Sequence, residues 1–366
     1  MDLPVTTKDI TVDWLNEILH GNDFLGDSNI VSVESEQIGV GEGFMSDIAR
    51  LSIKYDSANN DLPKCIVVKL PTSFPSAREA GMKGGGYERE IRFYTEVASK
   101  SPLRTPEVVY THIDKEQQQY ILMMKDYSHC KKPDMSEGAD EELAKIIINK
   151  LADFHARWWD ANDLYSFPWI PRMDTSTKAS VVENYQSIIN ECVNTSGFES
   201  IFPQGTDEIC RKIKEHLDWL VNIRNDNLTL QHSDFRIGNI FIDFDTPDDP
   251  LVFYDWSGIR IGIGVCDLSY FLGWSLTTTT RRIVESELLR IYWEAISKQI
   301  TTEYSHDEFL LDYLRGLLVM TFIPLFSFSR LDLSSLGGKE SEKVKEAMHR
   351  WFITLIDNNA VSVLPS

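Results

Sequence analysis

The run His232-Ser233-Asp234-Phe235-Arg236-Ile237-Gly238-Asn239 sets an imidazole, a carboxylate and an amide at the spacing H-x-D-x-x-x-x-N. A carboxylate such as Asp234 can orient an attacking hydroxyl and take its proton. The amide of Asn239 offers a hard oxygen ligand to a divalent cation without adding charge. Sixteen positions further on, Asp255 ends the apolar segment Val252-Phe253-Tyr254. Residues 239–244 and 251–255 read as two apolar strands joined by Thr246-Pro247-Asp248-Asp249-Pro250, a strong turn signal. Such a hairpin would return Asp255 towards Asn239 and make it a second metal ligand. An ion held this way neutralises charge on a phosphoryl group in transfer. Singly, these are a surface Asp, a loop Asn and a strand-capping Asp. Their order and spacing point to phosphoryl transfer from ATP with Mg2+.

Other residues suit the same chemistry. Lys69 ends the apolar run Cys65–Leu70 between Pro63 and Pro71. A lysine there either snorkels to solvent or holds the α- and β-phosphates of a nucleotide, positioned by a glutamate on the following helix. That helix, expected over 87–99, offers Glu88 and Glu90. Tyr87, Ile91, Tyr94, Val97 and Ala98 form its apolar stripe, and Glu90 falls within that arc while Glu88 points away with Arg92. Glu90 is therefore the expected partner of Lys69. Gly39, Gly41 and Gly43 lie between two strand-like segments, where backbone N–H groups could approach phosphate oxygens. The same pattern fits an ordinary hairpin loop. It lacks the G-K-[ST] of a Walker loop, and no helix follows as in a dinucleotide fingerprint. Pro75, Gly81 and Gly84-Gly85-Gly86 read as a loop leading into that helix, with the Gly84–Gly86 run as a flexible connector.

The elements that must position these residues fall into two blocks. Trp14, Leu15, Ile18 and Leu19 form a helical stripe stopping at Gly21. Strands follow over 30–38, 47–55 and 65–70, then the helix, then strands over 107–113 and 119–124. From Asp140 the pattern is mainly helical, with Leu143, Ile147, Leu151, Phe154 and Trp158 at helix spacing. The expected fold class is α+β, with a sheet-rich lobe over 1–125 and a larger helical lobe over 126–366. With 366 residues, 42% of them hydrophobic, the chain can bury a sizeable core.

A net charge of −20 disfavours nucleic acid and anionic membrane surfaces as partners. Its bland function is solubility, and a neutral or cationic substrate would also suit it. Cys65, Cys130, Cys192, Cys210 and Cys266 are odd in number and include no C-x-x-C, which argues against a disulfide framework or a zinc ribbon. The expected location is the cytoplasm, since the N-terminus carries no signal peptide pattern. The greasy stretch over 317–328 is too short for a bilayer, contains Pro324 and reads as a buried helix.

Residues in this order resemble the aminoglycoside phosphotransferase and choline kinase superfamily, and in particular its ecdysteroid-kinase-like branch. The resemblance spans most of the chain: the Lys69 strand, Glu90-Ile91-Arg92-Phe93-Tyr94, the run Leu151–Trp159, His232–Asn239, Asp255-Trp256 and Gly264-Val265-Cys266-Asp267-Leu268. It implies a two-lobed, protein-kinase-like fold. Asp234 is then the catalytic base, with Asn239 and Asp255 on Mg2+ and Lys69 and Glu90 on the ATP phosphates. It further implies that His232 and Asp267 brace the catalytic loop, and that Met124, Asp126 and Tyr127 belong to a hinge beside adenine. The acceptor would be a small-molecule hydroxyl, on a lipophilic or sterol-like alcohol or on an aminoglycoside- or choline-like cation. Trp158, Trp159, Trp169, Trp274, Trp293 and Trp351 are either its lining or core. Lys125 stands where the superfamily often has Glu. Ser233 stands where protein kinases carry Arg, Asp255-Trp256-Ser257 replaces D-F-G, and no A-P-E follows. These differences favour a small molecule over a protein acceptor. A nucleotide-binding regulatory module without transfer is the remaining alternative.

Overall fold

A computed structural model describes residues 3–39, 46–57, 62–172, 175–222, 226–330 and 339–365. The chain divides into two compact units. The first comprises Met1–Lys100, Arg104–Lys131 and Phe241–Ser257, and the second the remainder. The sequence suggests one boundary at 125. By contacts, the first unit continues to Lys131 and takes back the segment that carries Asp255.

The first unit is built on a five-stranded sheet. Its strands are β1 (Ile30–Ile38), β2 (Ser46–Tyr55), β3 (Cys65–Pro71), β4 (Val108–Asp114) and β5 (Gln119–Lys125), ordered β1-β2-β3-β5-β4 and antiparallel throughout. Helix α1 (Val12–Gly21) closes one face, capped by Thr11, whose hydroxyl accepts the Trp14 N–H. Trp14, Leu15 and Leu19 pack there with Ala49, Leu51, Ile66, Val68, Leu70, Ile121 and Met123. Because side chains alternate along a strand, putting Ile66, Val68 and Leu70 into this core turns Lys69 to the opposite face.

Two helices follow β3: α2 (Pro75–Gly84) and α3 (Gly86–Arg92). The expected flexible connector is instead the end of α2, a left-handed Gly85 at φ 67° and the start of α3. The α-helix also ends earlier than expected, at Arg92. A five-residue π turn, Phe93–Val97, continues it, followed by a 3-10 turn, Ala98–Lys100. The hairpin predicted around residue 247 is present with shorter strands, Ile240–Ile242 and Leu251–Phe253.

The second unit is mainly helical. Helix α4 (Glu141–Trp158) starts at Asp140, whose carboxylate accepts the Leu143 N–H, and buries Ile147, Leu151, Phe154 and Trp158 on one face. The helix Val265–Ser275 is buried at every residue, Asp267 included. A carboxylate taken so far from water needs hydrogen bonds to compensate, and the backbone N–H groups of His232 and Ser233 supply them. One helical run among the described residues, His306–Ser329, is with 24 residues long and apolar enough to cross a bilayer. It extends the greasy stretch of the sequence beyond the length expected. Over half of its most apolar window is buried in the protein, with Leu317, Leu318, Leu325 and Phe328 in the core.

Candidate functional site

In the first unit, Lys69 stands between two carboxylates. Its Nζ donates to Glu90 at 2.8 and 2.7 Å and to Asp255 Oδ1 at 3.4 Å. The helix phase explains the choice of glutamate. Tyr87, Glu90 and Ile91 are buried, while Glu88 turns out to Arg92 at 3.2 Å and Lys115 at 2.7 Å. Burial works against the Lys69 ammonium, but the Asp255 and Glu90 charges outweigh it and hold its pKa above the ordinary value. Burial pushes Glu90 up to about 7, against the pull of the Lys69 charge and with the help of Asp255. One ammonium is thus shared by two acids.

This arrangement makes two predictions about one substitution. Glu90→Gln should reduce activity well beyond Glu88→Gln, and the reverse order in a turnover assay would refute the pairing. The folded protein also keeps a proton on Glu90 at pH values where the unfolded chain, near its ordinary 4.5, has released it. That contribution to stability is full at low pH and is lost as pH rises through about 7. Glu90→Gln cannot titrate, so it should flatten this part of the stability curve in urea melts. An unchanged slope would remove Glu90 as its source.

The turn carrying Asp255 is fastened by α3 and the residues just after it. Arg89 Nε donates to the Ser257 carbonyl at 2.9 Å, and Phe93 stacks on Trp256 with centroids 3.8 Å apart and planes 10° from parallel. The Ser257 hydroxyl donates to Asp255 Oδ1 at 3.0 Å. Asp255 itself sits in the left-handed region at φ 64°. Sequence reasoning missed Arg89, Phe93 and Ser257 in this role. Arg89 and Phe93 are four apart, a spacing that can place them on one side, but their partners Ser257 and Trp256 lie more than 160 positions away and leave no local signal.

Gly39 follows β1 at φ 67°, while Gly41 and Gly43 lie outside the described residues. Met124, next to last in β5, lies opposite Val67 and Val108. The Asp126 carboxylate accepts the Ser128 N–H and hydroxyl and pairs with Arg50 at 3.2 Å. Tyr127 is buried, and its ring lies parallel to Phe241 at 6.2 Å. His129, Cys130 and Asp243 also gather metal-donor atoms. Arg104 already neutralises Asp243 at 2.6 Å, and burial holds the Cys130 thiol above its usual pKa. That set is satisfied by its own side chains.

In the second unit, the loop after β6 (Thr229–Gln231) holds Asp234 and Asn239 together. The Asn239 amide nitrogen donates to the Asp234 carbonyl at 2.9 Å and to its Oδ2 at 2.8 Å, and the amide oxygen takes part in neither bond. The buried Asp267 accepts the His232 N–H at 2.6 Å and the Ser233 N–H at 2.9 Å. His232 Nδ1 in turn accepts the Asp234 N–H at 3.3 Å. Behind Asp267 stands His155, fully buried, with Nε2 3.4 Å from Asp267 and Nδ1 2.7 Å from the Tyr292 hydroxyl. Tyr270 faces Asp234 from the helix Val265–Ser275; burial first, then the Asp234 charge, holds its phenol well above the usual pKa. His155, Tyr270 and Tyr292 were not singled out from the sequence. His155 does fall on the apolar face of the 151–159 run, and a histidine there is the one signal that was readable.

Ser233 occupies the left-handed region at φ 67°, and its buried hydroxyl has no hydrogen-bond partner among the described residues. An L-residue pays roughly 1–2 kcal/mol for that conformation, and glycine pays none. Ser233→Gly should therefore stabilise the protein by about 1 kcal/mol with activity retained. A lower melting temperature would refute the strain.

Of the six tryptophans that might line an acceptor site, Trp158, Trp159, Trp274 and Trp351 are buried core. Only Trp169 and Trp293 are partly exposed.

The fold recurs in known structures. A putative aminoglycoside phosphotransferase from Ralstonia eutropha superposes with a TM-score of 0.57 at 12% identity, over 97% of this chain and 98% of that one. Choline kinase from Cryptosporidium parvum gives 0.55 at 11%, over 95% and 96%. The Plasmodium vivax ethanolamine kinase gives 0.53 at 11%, over 90% and 83%. Identities this low show a shared protein-kinase-like fold alone. No curated protein matches the chain in sequence. The sequence profile of the ecdysteroid kinase-like family matches residues 40–302, a span that includes Lys69, Glu90, Asp234, Asn239, Asp255 and Asp267. With well over half of its length matched, this chain belongs to the ecdysteroid kinase-like family.

Proposed function

We propose that the chain moves the γ-phosphate of ATP to a hydroxyl group of a small molecule. The observation that carries this reading is the setting of Asp234. Its side chain keeps 32% exposure, enough to meet an acceptor, while Asn239 and Arg236 fix its direction. Asp234 would orient the acceptor hydroxyl and take its proton as the oxygen attacks. Asn239 and Asp255 offer the oxygen ligands that Mg2+ takes, and the ion when bound supplies positive charge to the phosphates. Lys69, held by Glu90, would pair with the α- and β-phosphates. The Gly39, Gly41 and Gly43 backbone would cover them, and the Met124–Tyr127 backbone would meet adenine.

Small alcohols are the favoured acceptors. Structural neighbours include a choline kinase, an ethanolamine kinase and the GDP complex of an aminoglycoside 2'-phosphotransferase, and the family takes its description from ecdysteroid kinases. A net charge of −20 suits a cationic acceptor. Burial of four tryptophans weakens the aromatic argument for a flat, sterol-like one. The five cysteines carry no disulfide, which suits the cytoplasm.

The test is transfer of labelled γ-phosphate from Mg-ATP into an extract of the source organism, with products split into small molecules and protein. Label entering the small-molecule fraction supports the reading. Label entering protein would overturn the choice of acceptor, and nucleotide binding with no label in any fraction would favour a regulatory module.

A further inference from the structure

Arg236 lies on the carboxylate that transfer needs. Its Nε is 3.1 Å from Asp234 Oδ1 and 3.2 Å from Oδ2. With Asn239 also donating to Oδ2, both oxygens of Asp234 carry donors. The surroundings are shaped to keep the guanidinium there. Its Nη1 lies 2.9 Å from Met135 Sδ. Met135 is itself fixed through its carbonyl, which accepts from the buried Arg350 at 3.0 Å. A Cβ at Gly238 would collide with Arg236 Nη1 and press on Met135 Sδ at 3.1 Å, so glycine leaves the space that the arginine fills.

Such a contact has two consequences for a phosphotransferase. It blocks the base until the guanidinium moves or shares, and it stores a planar cation beside the point of attack. During transfer the acceptor oxygen must sit about 3 Å from both the base and the phosphorus. The phosphoryl oxygens then come within about 5–6 Å of Asp234, inside the reach of a flexible arginine already touching that carboxylate. A fork of N–H donors matches the charge spread over the three phosphoryl oxygens better than a point charge does.

We propose that Arg236 is a further catalytic residue. It lies on Asp234 in this structure and passes to the γ-phosphoryl group during transfer, leaving Asp234 Oδ1 for the acceptor. In the step it serves, the acceptor oxygen bonds to the γ-phosphorus, and the bond from that phosphorus to the bridging oxygen breaks. The hydroxyl proton goes to Asp234, and ADP leaves with the electron pair. This inference rests on the phosphotransferase reading and adds the group that recognises the third phosphate.

Titration calorimetry on the full chain tests it, with Mg-ADP and the magnesium complex of the imido analogue of ATP as probes. Wild type should prefer the triphosphate. Arg236→Gln should lose about 10-fold in affinity for the triphosphate, the scale of one charge-assisted hydrogen bond, and stay within about twofold for ADP. Slow hydrolysis of ATP should fall by about 10²–10³. Arg236→Lys keeps charge and bulk but not the fork, and should recover only part of each loss; it also carries the comparison if the Gln variant folds poorly. A residue that merely braced the loop would lower turnover without changing the preference for triphosphate over diphosphate. An unchanged preference in either variant overturns this inference and leaves the phosphotransferase reading intact. Wild type that binds neither nucleotide overturns both.

Discussion

Asp234→Asn will abolish phosphate transfer while the protein keeps its fold and its nucleotide. A general base contributes about 10²–10⁴ to rate, and an amide cannot take the proton, so a loss of about 10³ or more is expected. The fold should survive because the loop is not hung on this side chain. Asp267 holds it through the backbone N–H groups of His232 and Ser233, and His232 holds the Asp234 N–H. Nucleotide affinity should be equal to wild type or higher, since Arg236 loses its competing carboxylate. Single-turnover transfer, calorimetry and a thermal melt on the same preparation give all three readings. Turnover within tenfold of wild type would sink the assignment of the base.

Asp255→Asn should have the second-largest effect. Asparagine accepts the left-handed backbone at this position at least as well as aspartate, so the turn should persist. What is lost is the anionic oxygen offered to Mg2+. Nucleotide affinity should fall by about 10–100-fold with Mg2+ present and change little without it. Lys69 would retain Glu90, and Glu90, relieved of a neighbouring charge, would give up its proton more readily. Calorimetry in magnesium and in chelator separates the two conditions. Equal affinity for both proteins in magnesium would take Asp255 out of the metal site.

The residues read correctly from the sequence are those whose geometry follows from a local period. Alternation along Cys65–Pro71 sends Lys69 away from the core, and helix phase sends Glu90 inward and Glu88 outward. Helix α2 was misread because Pro75, Gly81 and Gly84 look like breakers. Pro75 sits at the first turn, where its missing N–H costs nothing. Gly81 is there because a Cβ would press into the ring of Tyr87. That is a packing reason, visible only once the two helices fold together. The bracing of the His232–Asn239 loop was half readable. Asp267 stands in a run with a known look, but Tyr292, which holds His155, is 137 positions from it. Arg236 was in plain view inside the strongest motif. Its neighbour Gly238 was the clue: it lies in the 3-10 turn Ile237–Asn239 without a positive φ, so what the glycine provides there is room, and the guanidinium takes it.

The return of Phe241–Ser257 to the first unit bears on how the protein can be cut. A polypeptide stopping at Lys131 would contain the whole five-stranded sheet and still be unfinished. Phe93 would lose the Trp256 ring it stacks on, Arg89 its carbonyl partner and Lys69 its second carboxylate. Truncated transcripts or proteolytic pieces that keep only the leading segment should therefore be insoluble or short-lived. A synthetic peptide spanning 241–257 would be the natural complement to restore such a piece, in the way that one half of a split reporter restores the other.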